Sequence, residues 1–198
     1  MIQRRFVLAA FAGFALPARA DASLIGALRA GGCVVYIRHA ITDRSQVDTG
    51  DLTRREGQRN LSAEGRAQAQ AIGRAIVRLG IPIGAVLTSP VFRARDTAEL
   101  AFGTSRTRID EVLTADDYTP DSRLLAQRIA ETRRRLTLPP ASGNDILVGH
   151  IVPLGMVLGR SLGQAEFAEG TLALFRPGGA APDLMGFLHA GQLIAASG

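Results

Sequence analysis

Four side chains able to handle phosphate stand at or shortly after the ends of short, largely apolar runs in this 198-residue chain. Arg38-His39 follows Cys-Val-Val-Tyr-Ile at 33–37, Arg93 lies four residues beyond Ser89, which ends Ala-Val-Leu-Thr-Ser at 85–89, and His150 follows Ile-Leu-Val-Gly at 146–149. A neutral imidazole is a good nucleophile near pH 7, and guanidinium groups beside it disfavour its protonation. Arg38 and Arg93 can each grip phosphate oxygens through paired N–H donors, and such charge-assisted hydrogen bonds are worth roughly 1.5–3 kcal/mol apiece. His150, if protonated, adds a further cationic donor around a transferring phosphoryl group. Attack by His39 on phosphorus, followed by attack of water, completes a hydrolysis without a metal. The chain has three histidines, and no two have metal-ligand spacing. The carboxylates are too scattered to suggest a two-metal clamp, so no metal and no cofactor is expected.

A leaving oxygen also needs a proton. The acids after Arg93 are Glu111, Asp116 and Asp117, around Leu113-Thr114-Ala115. Asp116 is the favoured donor, with Glu111 next and Asp117 open. Arg44, Arg54, Arg55 and Arg59 crowd a polar stretch, residues 40–60, where Arg59 and Asn60 are candidates to reach the phosphate or the substrate body.

These residues need a scaffold that brings distant segments together. The run at 33–37 is β-branched and aromatic with Gly31-Gly32 before it, which suits a strand buried on both faces and so a parallel sheet. A helix is expected from Ser62, capped by its hydroxyl, with Ala69, Ile72, Ile76 and Leu79 on one face and Gly80 and Pro82 as its stop. A strand at 85–87, a helix at about 90–101, a helix at about 121–136 and a strand at 145–149 follow, then strands at 171–175 and 184–188. His189 falls in the last strand and reads as structural. This alternation predicts one α/β domain, residues 21–198, built as a three-layer α/β/α sandwich with a mostly parallel central sheet. The site residues would meet at the carboxyl edge of that sheet, where α/β proteins place their ligands.

Arg38-His39-Ala40, the Ser89-x-x-x-Arg93-Ala94 stretch and His150 together resemble the histidine phosphatase superfamily, the phosphoglycerate mutase-like fold, over residues 34–153. The first matches its Arg-His-Gly/Ala signature, Arg93 its second arginine and His150 its second histidine. The resemblance implies a covalent phosphohistidine on His39. Phosphoglycerate mutases carry a glutamate in a Leu-x-Glu context where this chain has Ala115. The short form and the absent glutamate resemble the phosphohistidine phosphatase branch, in which a good leaving group needs less acid help. The expected activity is metal-independent hydrolysis of a phosphomonoester or phosphoramidate, carried by a small molecule or by a phosphorylated protein or surface. Phosphoglycerate mutase-type phosphoryl transfer is the near alternative, and a phosphate-binding module without catalysis the alternative from another class.

The formal charge of +5 belongs largely to the first twenty residues, which hold Arg4, Arg5 and Arg19 and no acid. The remainder carries 20 basic and 18 acidic residues. With so small an imbalance, no tryptophan and no basic stripe interleaved with aromatics, nucleic acid is not an expected partner. Residues 1–20 read as an export signal: Arg4-Arg5, an apolar run at 6–16, Pro17, then Ala18-Arg19-Ala20 as a cleavage site. The adjacent arginines partly match a twin-arginine signal. The run is too short to span a bilayer comfortably, so the mature chain is expected in a periplasmic or extracellular space without stable membrane insertion. Cys33 is the single cysteine, so no intramolecular disulfide can form. It opens an apolar run and is expected in the core.

Overall fold

The computed structural model describes residues 22–198. The proposed signal, residues 1–20, and Asp21 lie outside the described residues. Strand β1 (Val34–Arg38) is buried at every position, and its side chains divide by the two-residue period of a strand. Val35 and Ile37 enter one core, while Val34 and Tyr36 enter another on the opposite face. Strand β4 (Asn144–Gly149) divides the same way, with Ile146 and Val148 on the first face and Leu147 on the second. Two cores on one sheet require helices on both sides.

The first face is covered by α1 (Ala22–Ala30), α2 (Ala63–Arg78), α3 (Phe92–Phe102) and α6 (Ala190–Ala196), which contribute residues such as Leu28, Ile72, Ala98 and Leu193. The second is covered by α4 (Ser122–Arg135) and α5 (Ile151–Leu158), through Leu136 at the end of α4 and Leu154 and Val157 of α5. With β2 (Ile83–Thr88), β3 (Thr107–Ile109), β5 (Leu172–Arg176) and β6 (Asp183–Leu188), the sheet order is β3-β2-β4-β1-β5-β6. The pairs β3-β2, β2-β4 and β4-β1 are parallel, and β5 pairs antiparallel with β1 and with β6. The fold is therefore the expected α/β sandwich, and its antiparallel part lies at one edge.

Helix α2 begins where the sequence places it. Ser62 is the N-cap, its hydroxyl accepting from the Gly65 amide at 3.0 Å, a cap worth about 1 kcal/mol. A Cβ on Gly65 would lie 1.8 Å from the Ile41 carbonyl, so only glycine lets the helix dock on the segment after His39. His189 is not in a strand but caps α6, its amide donating to Gln192 Oε1 and its Nδ1 lying 3.0 Å from Thr171 Oγ1. Cys33 is buried in the first core, and burial raises its thiol pKa.

Candidate active site

The parallel register explains how residues far apart in sequence meet. In the β1-β4 pair Arg38 stands opposite Gly149, and the His39 amide donates to the Gly149 carbonyl at 3.0 Å. His39 and His150 therefore leave neighbouring strand ends together, with ring centroids 5.5 Å apart. On the other side of β4, Thr88 pairs with Val148 and the Ser89 amide donates to the Val148 carbonyl, which sets the entrance to α3 and hence Arg93 beside the same edge. Arg38, His39, Arg93 and His150 are each no more than 4% exposed.

Gly149 is dictated by Tyr36. A Cβ there would meet the Tyr36 hydroxyl at 2.1 Å. That hydroxyl accepts from the His150 amide at 2.8 Å and donates to the His150 carbonyl at 3.1 Å, fixing the backbone that carries the second histidine. Burial raises the Tyr36 pKa, so the phenol keeps its proton.

Both site histidines have pKa values held well below the ordinary range, first by burial and then by the Arg93 charge, with Arg38 and Arg59 adding to it. In the free site both rings are thus held toward the neutral form. His39 Nδ1 lies 2.9 Å from the Ala40 carbonyl, which takes the Nδ1 proton and leaves the lone pair on Nε2. His150 Nε2 lies 2.9 Å from Ser89 Oγ, which itself accepts from the Val91 amide. The other ring nitrogen of His150, Nδ1, is buried with no hydrogen-bond partner.

Three arginines share this condition. The Nε atoms of Arg38, Arg59 and Arg93 are buried without partners. Arg38 is gripped through Nη1 by Gln164 Oε1 at 2.8 Å and the Phe167 carbonyl at 2.6 Å. Arg93 is gripped through Nη1 by both oxygens of Asp48, at 2.9 and 3.0 Å. Buried N–H groups left unpaired are costly, and a set of them around two neutral imidazoles is suited to a tetrahedral oxyanion.

The acids fall differently from the sequence expectation. Asp117, not Asp116, reaches Arg93, with Oδ2 3.4 Å from Nη2. Glu111 is turned outward toward Arg128 at 3.6 Å. Asp116 is half-buried in the same short turn as Asp117, and its charge acts on Tyr36 and Asp117. Ala115 is buried among Val91 and Tyr118, where no carboxylate could stand without replacing that packing.

The polar segment at 40–60 is tied down largely by its own charges. Arg55 forms a two-pronged bridge to Asp96 at 2.6 Å and stacks on Phe92, Arg54 pairs with Asp51, and Arg44 lies 3.7 Å from Glu169. Asn60 spends its amide nitrogen on Gln46, Arg55 and Gln58 of the same segment, so it offers no free donor to a phosphate. Arg59 does face the site electrostatically, lowering the pKa of both histidines. Sequence reasoning missed Asp48 and Glu169. Glu169 accepts from Thr42 at 2.7 Å and lies 4.0 Å from His39 Nδ1. Neither acid has a local pattern that marks it.

Two paired histidines and two buried arginines thus stand together at the parallel edge of the sheet. Residues 34–118 match the family model described as the histidine phosphatase superfamily (branch 1). No curated protein matches the chain in sequence. Among solved structures, the product of a Mycobacterium tuberculosis open reading frame is similar with a TM-score of 0.56 at 18% identity, covering 81% of this chain and 98% of that one. The protein histidine phosphatase SixA complexed with tungstate gives 0.55 at 14% identity, over 81% and 99% of the two chains. The phosphoserine phosphatase from Entamoeba histolytica, in complex with 3-phosphoglyceric acid, gives 0.52 at 16% over 81% and 98%. These likenesses share the fold.

Proposed function

We propose that the protein is a metal-independent phosphatase that hydrolyses a phosphomonoester or phosphoramidate through a phosphohistidine on His39. The observation that carries this reading is the Nδ1 contact of His39 with the Ala40 carbonyl, which leaves Nε2 as the lone-pair nitrogen beside buried, unpaired guanidinium donors. In the first step Nε2 forms a bond to phosphorus while the bond to the leaving group breaks. Arg38 and Arg93 hold the equatorial oxygens, with the His150 ring beside them. Water then attacks the phosphohistidine, releasing phosphate and restoring the imidazole.

Asp117 is the proton donor in this scheme. Burial raises its pKa, and the charges of Asp48 and Asp116 act in the same direction against the pull of Arg93. Ala115 in place of the mutase glutamate supports a branch resembling the phosphohistidine phosphatases, acting on substrates whose leaving groups need modest acid help. Among the described residues no group of three or more His, Cys, Asp and Glu side chains could hold a metal ion, and the positive charge at the site comes from arginine.

Rapid quench of the enzyme with an aryl phosphate tests the reading. Acid-labile, base-stable phosphate should appear on the wild type and not on His39→Ala, with turnover lost in the variant and unaffected by a chelator. Turnover by His39→Ala, or loss on chelation with recovery on adding a divalent ion, would remove His39 as the nucleophile. The substrate is proposed to be a small phosphorylated molecule or a phosphorylated protein or surface, met after export. The export reading rests on residues 1–20 alone.

A further inference from the structure

The loop between β1 and α2 contains a carboxylate, Asp48, bonded directly to an arginine that the proposed reaction needs for binding an anion. Arg93 Nη1 donates to Asp48 Oδ1 and Oδ2, the Arg59 amide donates to Oδ1 at 2.9 Å, and the Tyr118 hydroxyl donates to Oδ1 at 2.5 Å. Four donor contacts from three elements meet on one side chain that is 16% exposed. We infer that Asp48 is a positioning residue for phosphate binding, aiming Arg93 from α3 and fixing Arg59 in the loop, so that their Nε–H groups face the substrate phosphate. This inference rests on the phosphatase reading of the same site.

Arg38 shows the same design with different chemistry. It too is held at Nη1, by Gln164 and Phe167, and its Nε is likewise buried without a partner. Holding one nitrogen of a planar guanidinium stops rotation about the end of the side chain and leaves the Nε side for a ligand. Ordering the group before binding removes an entropic cost that a free arginine would meet on each encounter. For Arg93 the Tyr118 ring adds to the hold, with the guanidinium carbon 5.7 Å from its centroid.

Two alternatives make different predictions. Asp48 could act only as a loop anchor, yet the loop is already fastened to α3 by the Arg55-Asp96 bridge and by the Phe92 amide donating to Gln58 Oε1. Asp48 could instead occupy the place of the phosphate and compete with it. In that case Nε of Arg93 would have no reason to remain unpaired while Nη1 and Nη2 were engaged by Asp48 and Asp117. Burial opposes ionisation of Asp48, but its hydrogen bonds from Tyr118 and the Arg59 amide, with the Arg93 charge, hold its pKa below the ordinary value. It stays an acceptor throughout the working pH range.

The test is a double-mutant cycle between Asp48 and Arg93, read by calorimetric binding of inorganic phosphate and of vanadate, with KM and kcat on an aryl phosphate alongside. Asp48→Ala is expected to weaken both anions by roughly 10- to 100-fold, the scale of a misplaced binding group. In an Arg93→Ala background the same substitution should cost clearly less, the remainder being the part carried through Arg59. Asp48→Asn, of equal size, should weaken binding too, and Tyr118→Phe should do so by a smaller factor; these serve if the alanine variant fails to fold, which thermal unfolding would show. Tighter anion binding in Asp48→Asn would make Asp48 a competitor, and an unchanged constant or an equal loss in both Arg93 backgrounds would make it a loop anchor. Either result overturns the inference. Because binding is measured without turnover, a wild type that binds phosphate but forms no phosphohistidine would sink the catalytic reading and leave this one standing, and a wild type that binds neither anion would sink both.

Discussion

The Asp117 carboxylate lies 3.4 Å from the Arg93 guanidinium, on the same arginine that Asp48 grips through both of its oxygens. The two acids are driven apart: burial raises the Asp117 pKa, while hydrogen bonds lower that of Asp48. The opposite directions suit opposite roles, Asp117 as the acid that gives a proton and Asp48 as a fixed acceptor.

Asp117→Asn is therefore expected to slow hydrolysis of an alkyl phosphate by about 10²-fold or more, the low end for general acid catalysis, and to leave release of nitrophenolate within a fewfold of wild type. Asp116→Asn should produce the smaller difference. Comparing kcat on the two substrates decides the matter: an equal effect of Asp117→Asn on both would take the proton donor role from it.

Both site histidines are buried in the neutral form, and the pH dependence of stability should show it. Their folded pKa values lie well below 6.5, so between the folded values and 6.5 the unfolded chain binds more protons than the native one. Stability from this source is complete above about pH 6.5 and is lost as pH falls below it, by at most roughly 1.4 kcal/mol per pH unit for each histidine. Urea unfolding from pH 7 to 5 should show a steeper decline for wild type than for a folded His39→Gln, His150→Gln double variant. Matching slopes would mean that the rings are solvated. By the same sign, kcat/KM should remain level on the acid side of pH 6.5, since His39 stays deprotonated there.

Export predicts a processed N-terminus. The apolar run at 6–16 and Ala18-Arg19-Ala20 fit cleavage after Ala20. Mass spectrometry of periplasmic or secreted protein should give Asp21 as the first residue, and finding Met1 there would favour an uncleaved anchor.

Much of the scaffold was legible because its signals are local. The β-branched run at 33–37, the Ser62 cap and the spacing of Ala69, Ile72, Ile76 and Leu79 each act within a few residues, and each marks an element in the structure. The short strand β3 and the helices α1, α5 and α6 escaped, being three to nine residues long and held by packing against the sheet more than by propensity. His39, His150, Arg38 and Arg93 could be picked out because a parallel sheet sends the ends of neighbouring strands to one edge, and the sequence shows which residues follow strands.

The partners of those residues could not be read in the same way. Asp48 is separated from Arg93 by 45 positions and from Tyr118 by 70, inside a polar segment with no periodicity. The choice between Asp116 and Asp117 turns on which side chain a single 3₁₀ turn directs at an arginine. The sequence by itself determined which chemical groups the edge of the sheet would carry. Tertiary structure alone decided which acid faces which guanidinium and which imidazole nitrogen stays free, because hydrogen bonds depend on distance and angle after loop closure, while strand and helix signals depend on spacing along the chain.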